Sequence, residues 1–242
     1  GGMGTVFRAR QIDLDKAVAI KVLKEGLGDE QEFASRFKRE AKSASKIDHP
    51  NSMRVIDFGQ EPDGLLYIAM ELLEGKSLHD IIKEEAPLET GRIADLTRQT
   101  LAALAAAHDI GILHRDLKPE NIIIVRKRTD EGHEREIVKV CDFGIAKVSF
   151  GSSVTPDGSK LTSAGSIVGT PDYMSPEQAR GTAELDSRTD LYTVGVMMYQ
   201  MMTRELPFVA QTPLGVVLKH LNEQPEPPSK HVPTVDGRLE AI

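Results

Sequence analysis

The chain has 242 residues, 40% of them hydrophobic and 28% charged, with a net charge of −7. That length and apolar content suffice for one large domain or two closely packed lobes, and the acidic balance argues against a basic face for nucleic acid. No apolar run approaches the ~20 residues that span a bilayer, no signal-peptide pattern opens the chain, and the single cysteine, Cys141, suits a reducing compartment. The start inside a glycine-rich turn and the stop at Leu239–Ile242, where a helix has just begun, read as an excerpt from a longer protein.

Gly1-Gly2-Met3-Gly4 leads into a strand at Val6–Arg10, and a second strand follows at Lys16–Leu23. Glycines let backbone amides approach a phosphate, but a short glycine run is equally a flexible turn. Residues 29–46 lack helix breakers and set Phe33, Phe37 and Ala41 at four-residue spacing, which predicts an amphipathic helix. Glu40 lies on it, and alone would read as a solvated charge. Strands at Met53–Phe58 and Leu65–Met70 flank the turn Glu61-Pro62-Asp63-Gly64. Ser77-Leu78-His79-Asp80 has the Ser-x-x-acid pattern of a helix start. From Leu88 to Asp109 runs a long helix with Ile93, Leu96, Leu101 and Leu104 among alanines, ending at Gly111. His49 reads as a turn cap, and His108 as a cap at the exposed end of that helix.

His114-Arg115-Asp116-Leu117-Lys118-Pro119-Glu120-Asn121 gathers an acid, two cations and an amide in one loop. A carboxylate can accept the proton of an incoming hydroxyl, a lysine can neutralise a transferring phosphate, and an amide oxygen can hold a metal. Asp116, Lys118 and Asn121 supply those groups. Ile122–Val125 and Ile137–Cys141 read as paired buried strands, with the charged stretch 126–136 as a solvated loop between them. Asp142-Phe143-Gly144 follows, a tripeptide that alone marks only a turn after a strand. Residues 147–168 are rich in Ser, Gly and Thr with few apolar anchors. A helix capped by Ser187 runs to Met202, with Asp190 as its capping-box acid and its methionines in the core. A short helix near Leu214–Leu221 and the proline-rich loop 225–228 close the chain.

In order, these stretches resemble the motifs of protein kinases. The glycine-rich turn precedes Val6, and Val18-Ala19-Ile20-Lys21 matches the third-strand motif. His-Arg-Asp-x-x-x-x-Asn is filled at every fixed position, Asp142-Phe143-Gly144 is present, and Ser175-Pro176-Glu177 stands where the family has Ala-Pro-Glu. Gly-Gly-Met-Gly and Tyr173-Met174-Ser175-Pro176-Glu177-Gln178 are similar to bacterial members of the eukaryotic-like serine/threonine class. The resemblance implies an α+β, bilobal protein-kinase-like fold with a small antiparallel-sheet N-lobe and a mainly helical C-lobe. Residues 1–242 would be a partial kinase domain: 1–70 the N-lobe without its first strand, 71–75 the hinge, and 76–242 the C-lobe without its last helices.

The same resemblance implies transfer of the ATP γ-phosphate to serine or threonine hydroxyls of proteins. Asp116 orients or deprotonates the hydroxyl, Lys118 stabilises charge, and Lys21, partnered by Glu40, positions the nucleotide. Thr170 together with Lys118 marks the serine/threonine-directed pattern. Gly1, Gly2 and Gly4 cover the phosphates, Val6 and Ala19 press on the adenine, Met70 guards the back of the pocket, and Glu71 and Leu73 lie on the hinge that reads the adenine edge. Asn121 and Asp142 hold Mg²⁺, with Mn²⁺ as a substitute. Asp190 orients the backbone of the catalytic loop. Arg115 implies control by phosphorylation at Thr162, with Ser163 and Ser166 next. Implied partners are protein substrates and, for trans-autophosphorylation, a homodimer; the implied place is the cytoplasm, with any membrane anchor left to the parent protein. The alternative is a pseudokinase-type ATP-binding scaffold, although such proteins commonly lack one of the Lys, Asp or Asp-Phe-Gly groups present here.

Overall fold

The computed structural model describes residues 4–23, 30–128, 132–143, 171–182 and 185–242. The first four strands form an antiparallel sheet of order β1-β2-β4-β3: β1 (Gly4–Gln11), β2 (Lys16–Leu23), β3 (Val55–Gln60) and β4 (Leu66–Glu71). β4 alternates buried and half-buried residues, as a strand with one face on a core must. Register pairs Gly4 with Leu23 and Ala19 with Met70. A Cβ at Gly4 would lie 2.2 Å from the Val22 carbonyl oxygen, so only glycine fits there.

The helix α1 (Glu30–Ala44) lies against this sheet. Its Ala34, Phe37 and Ala41 join Leu23, Leu66 and Ile68 in a compact apolar cluster. Phe37 is fully buried and meets Phe58 edge-on, with ring centroids 6.5 Å apart. The four-residue spacing seen in the sequence is therefore the face that packs.

A larger cluster fills the remainder. The remaining described elements are a second antiparallel sheet, β5 (Lys76–Ser77), β6 (Ile122–Arg128) and β7 (Glu134–Val140), and the helices α2 (Leu78–Glu85), α3 (Thr90–His108), α4 (Pro176–Arg180), α5 (Arg188–Thr203), α6 (Pro213–Asn222), α7 (Pro228–His231) and α8 (Gly237–Glu240). Among these, β6, β7, α2, α3, α5 and α8 supply the larger cluster. Its apolar residues include Leu96 and Leu104 of α3 and Met197, Met198, Met201 and Met202 of α5, so the methionines are core. Ser77 caps α2 by accepting the Asp80 N–H at 3.1 Å, as its pattern predicts. Among the described residues no helix is long and apolar enough to cross a membrane.

Two expectations change. The second sheet extends through most of the stretch read as loop, because β6 continues to Arg128 and β7 starts at Glu134. Charged residues sit there as cross-strand partners: Arg126 faces Glu136 at 3.4 Å, and Arg92 of α3 takes the same carboxylate at 2.8 Å. Ser187 occupies the N-cap position of α5 in a helical conformation and makes no side-chain cap bond; Asp186 Oδ1 instead accepts the Arg188 N–H at 2.8 Å.

The two clusters meet at Val55, which packs against both. Asn51, in the connection from α1 to β3, ties that connection to the second sheet. Its carbonyl accepts the Val140 N–H at 2.8 Å, and its side-chain amide donates to Gln99 Oε1 and the Val138 carbonyl, each at 2.9 Å. His49 Nδ1 accepts the Asn51 N–H at 3.2 Å and caps the turn as expected. Phe37→Ala should cost about 3–5 kcal/mol, read as a lower urea midpoint; a loss under about 1 kcal/mol would mean the smaller cluster does not hold α1 to its sheet.

Candidate active site

The loop His114–Asn121 is irregular and carries no strand ladder, so its backbone groups need partners from elsewhere. Asp190, in the first turn of α5, is 1% exposed and supplies them. Its Oδ2 accepts the His114 N–H and its Oδ1 the Arg115 N–H, both at 2.9 Å. His108 Nε2 lies 2.7 Å from the same Oδ2, and since an ionised carboxylate only accepts, His108 carries its proton on that nitrogen. Burial pushes the Asp190 carboxyl up, but the His108 bond, the His114 charge and the two amides together hold it below the ordinary aspartate value. His108 is therefore not an exposed helix cap: it turns inward and fixes this carboxylate.

Three further bonds complete the loop. Lys118 Nζ donates to Asp116 Oδ2 at 2.9 Å, Asn121 Nδ2 donates to the Asp116 carbonyl at 2.8 Å, and the Cys141 N–H donates to the Asn121 carbonyl at 2.8 Å. The His114 ring crosses to the strand end, with Nε2 2.8 Å from the Cys141 carbonyl and its ring 5.0 Å from that of Phe143. Asp116, Asn121 and Asp142 are thereby held in one connected unit. Burial pushes the Cys141 thiol well above its ordinary value, so it stays protonated and is no nucleophile.

From the first sheet, Lys21 reaches this unit. Its ammonium donates to Asp142 Oδ2 at 2.7 Å, and Lys21 is only 8% exposed. The expected Lys21–Glu40 pair is not made: the Glu40 carboxylate lies 3.4 Å from neighbouring Arg39, and Asp142 takes the lysine instead. One buried ammonium satisfied by a close carboxylate has no electrostatic need of a second. Between this ion pair and Met70 lies a cavity of about 10 Å³, also lined by Ala44, Val55, Ile68 and Phe143, with room for a single water. Ala19 and Met70 are buried side by side, Leu73 is half-buried, and Val6 is 58% exposed. The Glu71 carboxylate is already engaged, accepting the Arg54 N–H at 2.8 Å and Lys139 Nζ at 2.7 Å, and its own N–H donates to the Arg54 carbonyl at 3.0 Å.

The donor set fits a hard divalent ion. Asp142 offers a carboxylate and Asn121, whose nitrogen is spent on Asp116, offers its amide oxygen. Among the described residues no group of three His, Cys, Asp or Glu side chains is placed to hold a metal ion. Gly1, Gly2, Gly144, Thr162, Ser163, Ser166 and Thr170 lie outside the described residues.

Beyond them, Pro171–Tyr173 forms a single 3₁₀ turn held to α5: the Tyr173 hydroxyl donates to Gln200 Oε1 at 2.8 Å, and Thr193 Oγ1 donates to the Tyr173 carbonyl at 2.9 Å. Ser175 is fully buried and caps α4 in a reciprocal capping box with Gln178. Glu177 Oε1 accepts the Thr189 hydroxyl at 2.9 Å.

Residues 1–235 match the model of the protein kinase domain. The chain belongs to that family. It is 52% identical over 239 residues to the serine/threonine-protein kinase pkn3 of Myxococcus xanthus, covering 99% of this chain and 42% of pkn3. It is 38% identical over 245 residues to PknB of Mycolicibacterium smegmatis, covering all of this chain and 37% of PknB. The chain thus spans less than half the length of these relatives. The crystal structure of the PknI kinase domain of Mycobacterium tuberculosis superposes with a TM-score of 0.70 at 25% identity, covering 99% of this chain and 82% of that one. Protein kinase domains as a family use ATP and a divalent metal, and the α+β, two-lobed architecture of this chain is that of the family.

Asp190→Ala should strip two buried amides of their acceptor and cost about 3 kcal/mol or more, measured by urea unfolding. Because the folded carboxyl is held below its unfolded value, its stabilisation is present above about pH 4 and is lost as pH falls through the depressed folded pKa. The parent should accordingly lose stability across that acid window more steeply than the variant.

Proposed function

We propose that this domain is a serine/threonine protein kinase that transfers the γ-phosphate of ATP to protein hydroxyls. The observation that carries the reading is the bonding of Asp116, Lys118 and Asn121 into one loop anchored by a buried carboxylate. Asp116 receives the substrate hydroxyl and takes or orients its proton. Lys118, 2.9 Å from that carboxylate, offsets charge on the phosphoryl group. Lys21 moves from Asp142 to the nucleotide phosphates, which frees both Asp142 oxygens, and Glu40 then receives the lysine. Gly1, Gly2, Gly4, Val6 and Ala19 close over the nucleotide, with Met70 behind it and the Glu71–Leu73 backbone at its edge.

Asp142 and Asn121 would hold Mg²⁺, or Mn²⁺ in its place; bound there, the ion neutralises phosphate charge. By the family pattern, Thr170 together with Lys118 favours serine or threonine hydroxyls. Phosphorylation at Thr162, Ser163 or Ser166, performed in trans by a second copy, gives Arg115 a charged partner. The cytoplasm supplies ATP and the reducing conditions that suit Cys141.

Labelled phosphate from γ-labelled ATP should enter a protein substrate with Mg²⁺ present, and Asp116→Asn should reduce the rate at least about 100-fold. Equal incorporation by the variant would contradict the assignment of Asp116. A domain that binds ATP but transfers no label would point to a scaffold. Mapping the label on the protein itself should find it at Thr162, Ser163 or Ser166, and alanine at all three should abolish it.

A further inference from the structure

The backbone of Arg115 is the strained point of the loop. Its φ is +67°, a left-handed conformation that costs a non-glycine residue roughly 1–2 kcal/mol. On the amide side Asp190 holds it, the Arg115 N–H donating to Oδ1 at 2.9 Å. The carbonyl side is held by a residue of a different element. Gln178 Nε2, from α4, donates to the Arg115 carbonyl at 2.7 Å. That carbonyl belongs to the peptide bond that enters Asp116, and the next carbonyl, of Asp116 itself, takes Asn121 Nδ2 at 2.8 Å.

The other end of the same side chain is also fixed. Gln178 Oε1 accepts the Ser175 N–H at 3.0 Å, while Ser175 Oγ accepts the Gln178 N–H at 3.3 Å, so the amide is oriented by its capping box before it reaches the loop. A capping box needs only an acceptor at this position, and glutamate serves it as well as glutamine. The bond to Arg115 needs a donor, which glutamate lacks at neutral pH.

We propose that Gln178 is a positioning residue for phosphoryl transfer: its amide ties the helix following the 171–175 segment to the Arg115–Asp116 peptide and so sets the aim of the Asp116 carboxylate. This inference rests on the kinase reading above. It makes α4 and the catalytic loop one rigid piece, so the surface that meets the protein substrate and the group that meets its hydroxyl keep a fixed spacing. Losing the tie should disturb turnover more than nucleotide binding, because most ATP contacts assigned above come from the first sheet, the 71–73 stretch and Asp142, and Asn121 keeps its own bond to the Asp116 carbonyl.

The test compares the purified protein with Q178E and Q178M, reading kcat, KM for ATP and melting temperature together. Q178E keeps the capping acceptor and sets a carboxylate oxygen against the Arg115 carbonyl; Q178M keeps length without charge. The expected result is a kcat lowered about tenfold or more in both variants, with KM for ATP within about twofold of the parent and the melting temperature of Q178E within a few degrees. A Q178E kcat within twofold of the parent would overturn the proposal. So would a loss carried by KM for ATP, or one that merely follows a drop in melting temperature, since either would mark Gln178 as structural. An unsubstituted protein that turns over while Q178E matches it refutes this inference alone. An unsubstituted protein that binds ATP without turnover refutes the kinase reading, and the inference falls with it.

Discussion

A single buried carboxylate organises the site. Asp190 is taken out of water by α3 and α5, and its cost of burial is met by three donors: His108 Nε2 and the amides of His114 and Arg115. Bonds to a charged acceptor contribute about 1.5–3 kcal/mol each, so the two amide bonds outweigh the roughly 1–2 kcal/mol of left-handed backbone at Arg115. Without that carboxylate the loop has no reason to keep a conformation that its own sequence disfavours. With it, Asp116, Lys118 and Asn121 are presented by a backbone that cannot easily rearrange, and little reorganisation is left for the moment of reaction.

The second constraint is the placement of Lys21. A buried ammonium must have a counter-charge, and two carboxylates compete for it, Asp142 from the larger cluster and Glu40 from α1. The arrangement found here satisfies Lys21 with Asp142 at 2.7 Å and leaves Glu40 beside Arg39. The same Asp142 oxygens are the ones suited to a metal, so a divalent ion and Lys21 compete for one group. In the kinase reading proposed above, nucleotide phosphates would offer Lys21 new acceptors and leave Asp142 to the ion, which would link the position of α1 to occupancy of the cleft.

Much of this was legible from residue order. The spacing of Phe33, Phe37 and Ala41 placed α1, the turn Glu61-Pro62-Asp63-Gly64 placed the strands on either side of it, and His-Arg-Asp-x-x-x-x-Asn placed the loop, because each depends on local pattern alone. Asp190 could be read two ways, as a capping acid and as a loop anchor; only the second bonds are made. What stayed hidden depends on which way a polar side chain turns in the folded state. His108 at the end of an alanine-rich helix looks like a cap until α5 brings Asp190 against it. Gln178 reads only as part of the Tyr-Met-Ser-Pro-Glu-Gln stretch, and nothing in the sequence says that its nitrogen meets Arg115. The charged stretch 126–136 looked like loop because its pairing partner, Arg92, lies on a distant helix.

The most direct test of the Asp190 anchor is amide hydrogen exchange at His114 and Arg115 in the unsubstituted protein, followed residue by residue. If the carboxylate holds both amides as described, they should exchange only through opening events as costly as those of the buried α5 backbone. Exchange at both amides near the rate of an exposed loop would mean that the carboxylate does not hold the loop, and the ordering of Asp116 would need another cause.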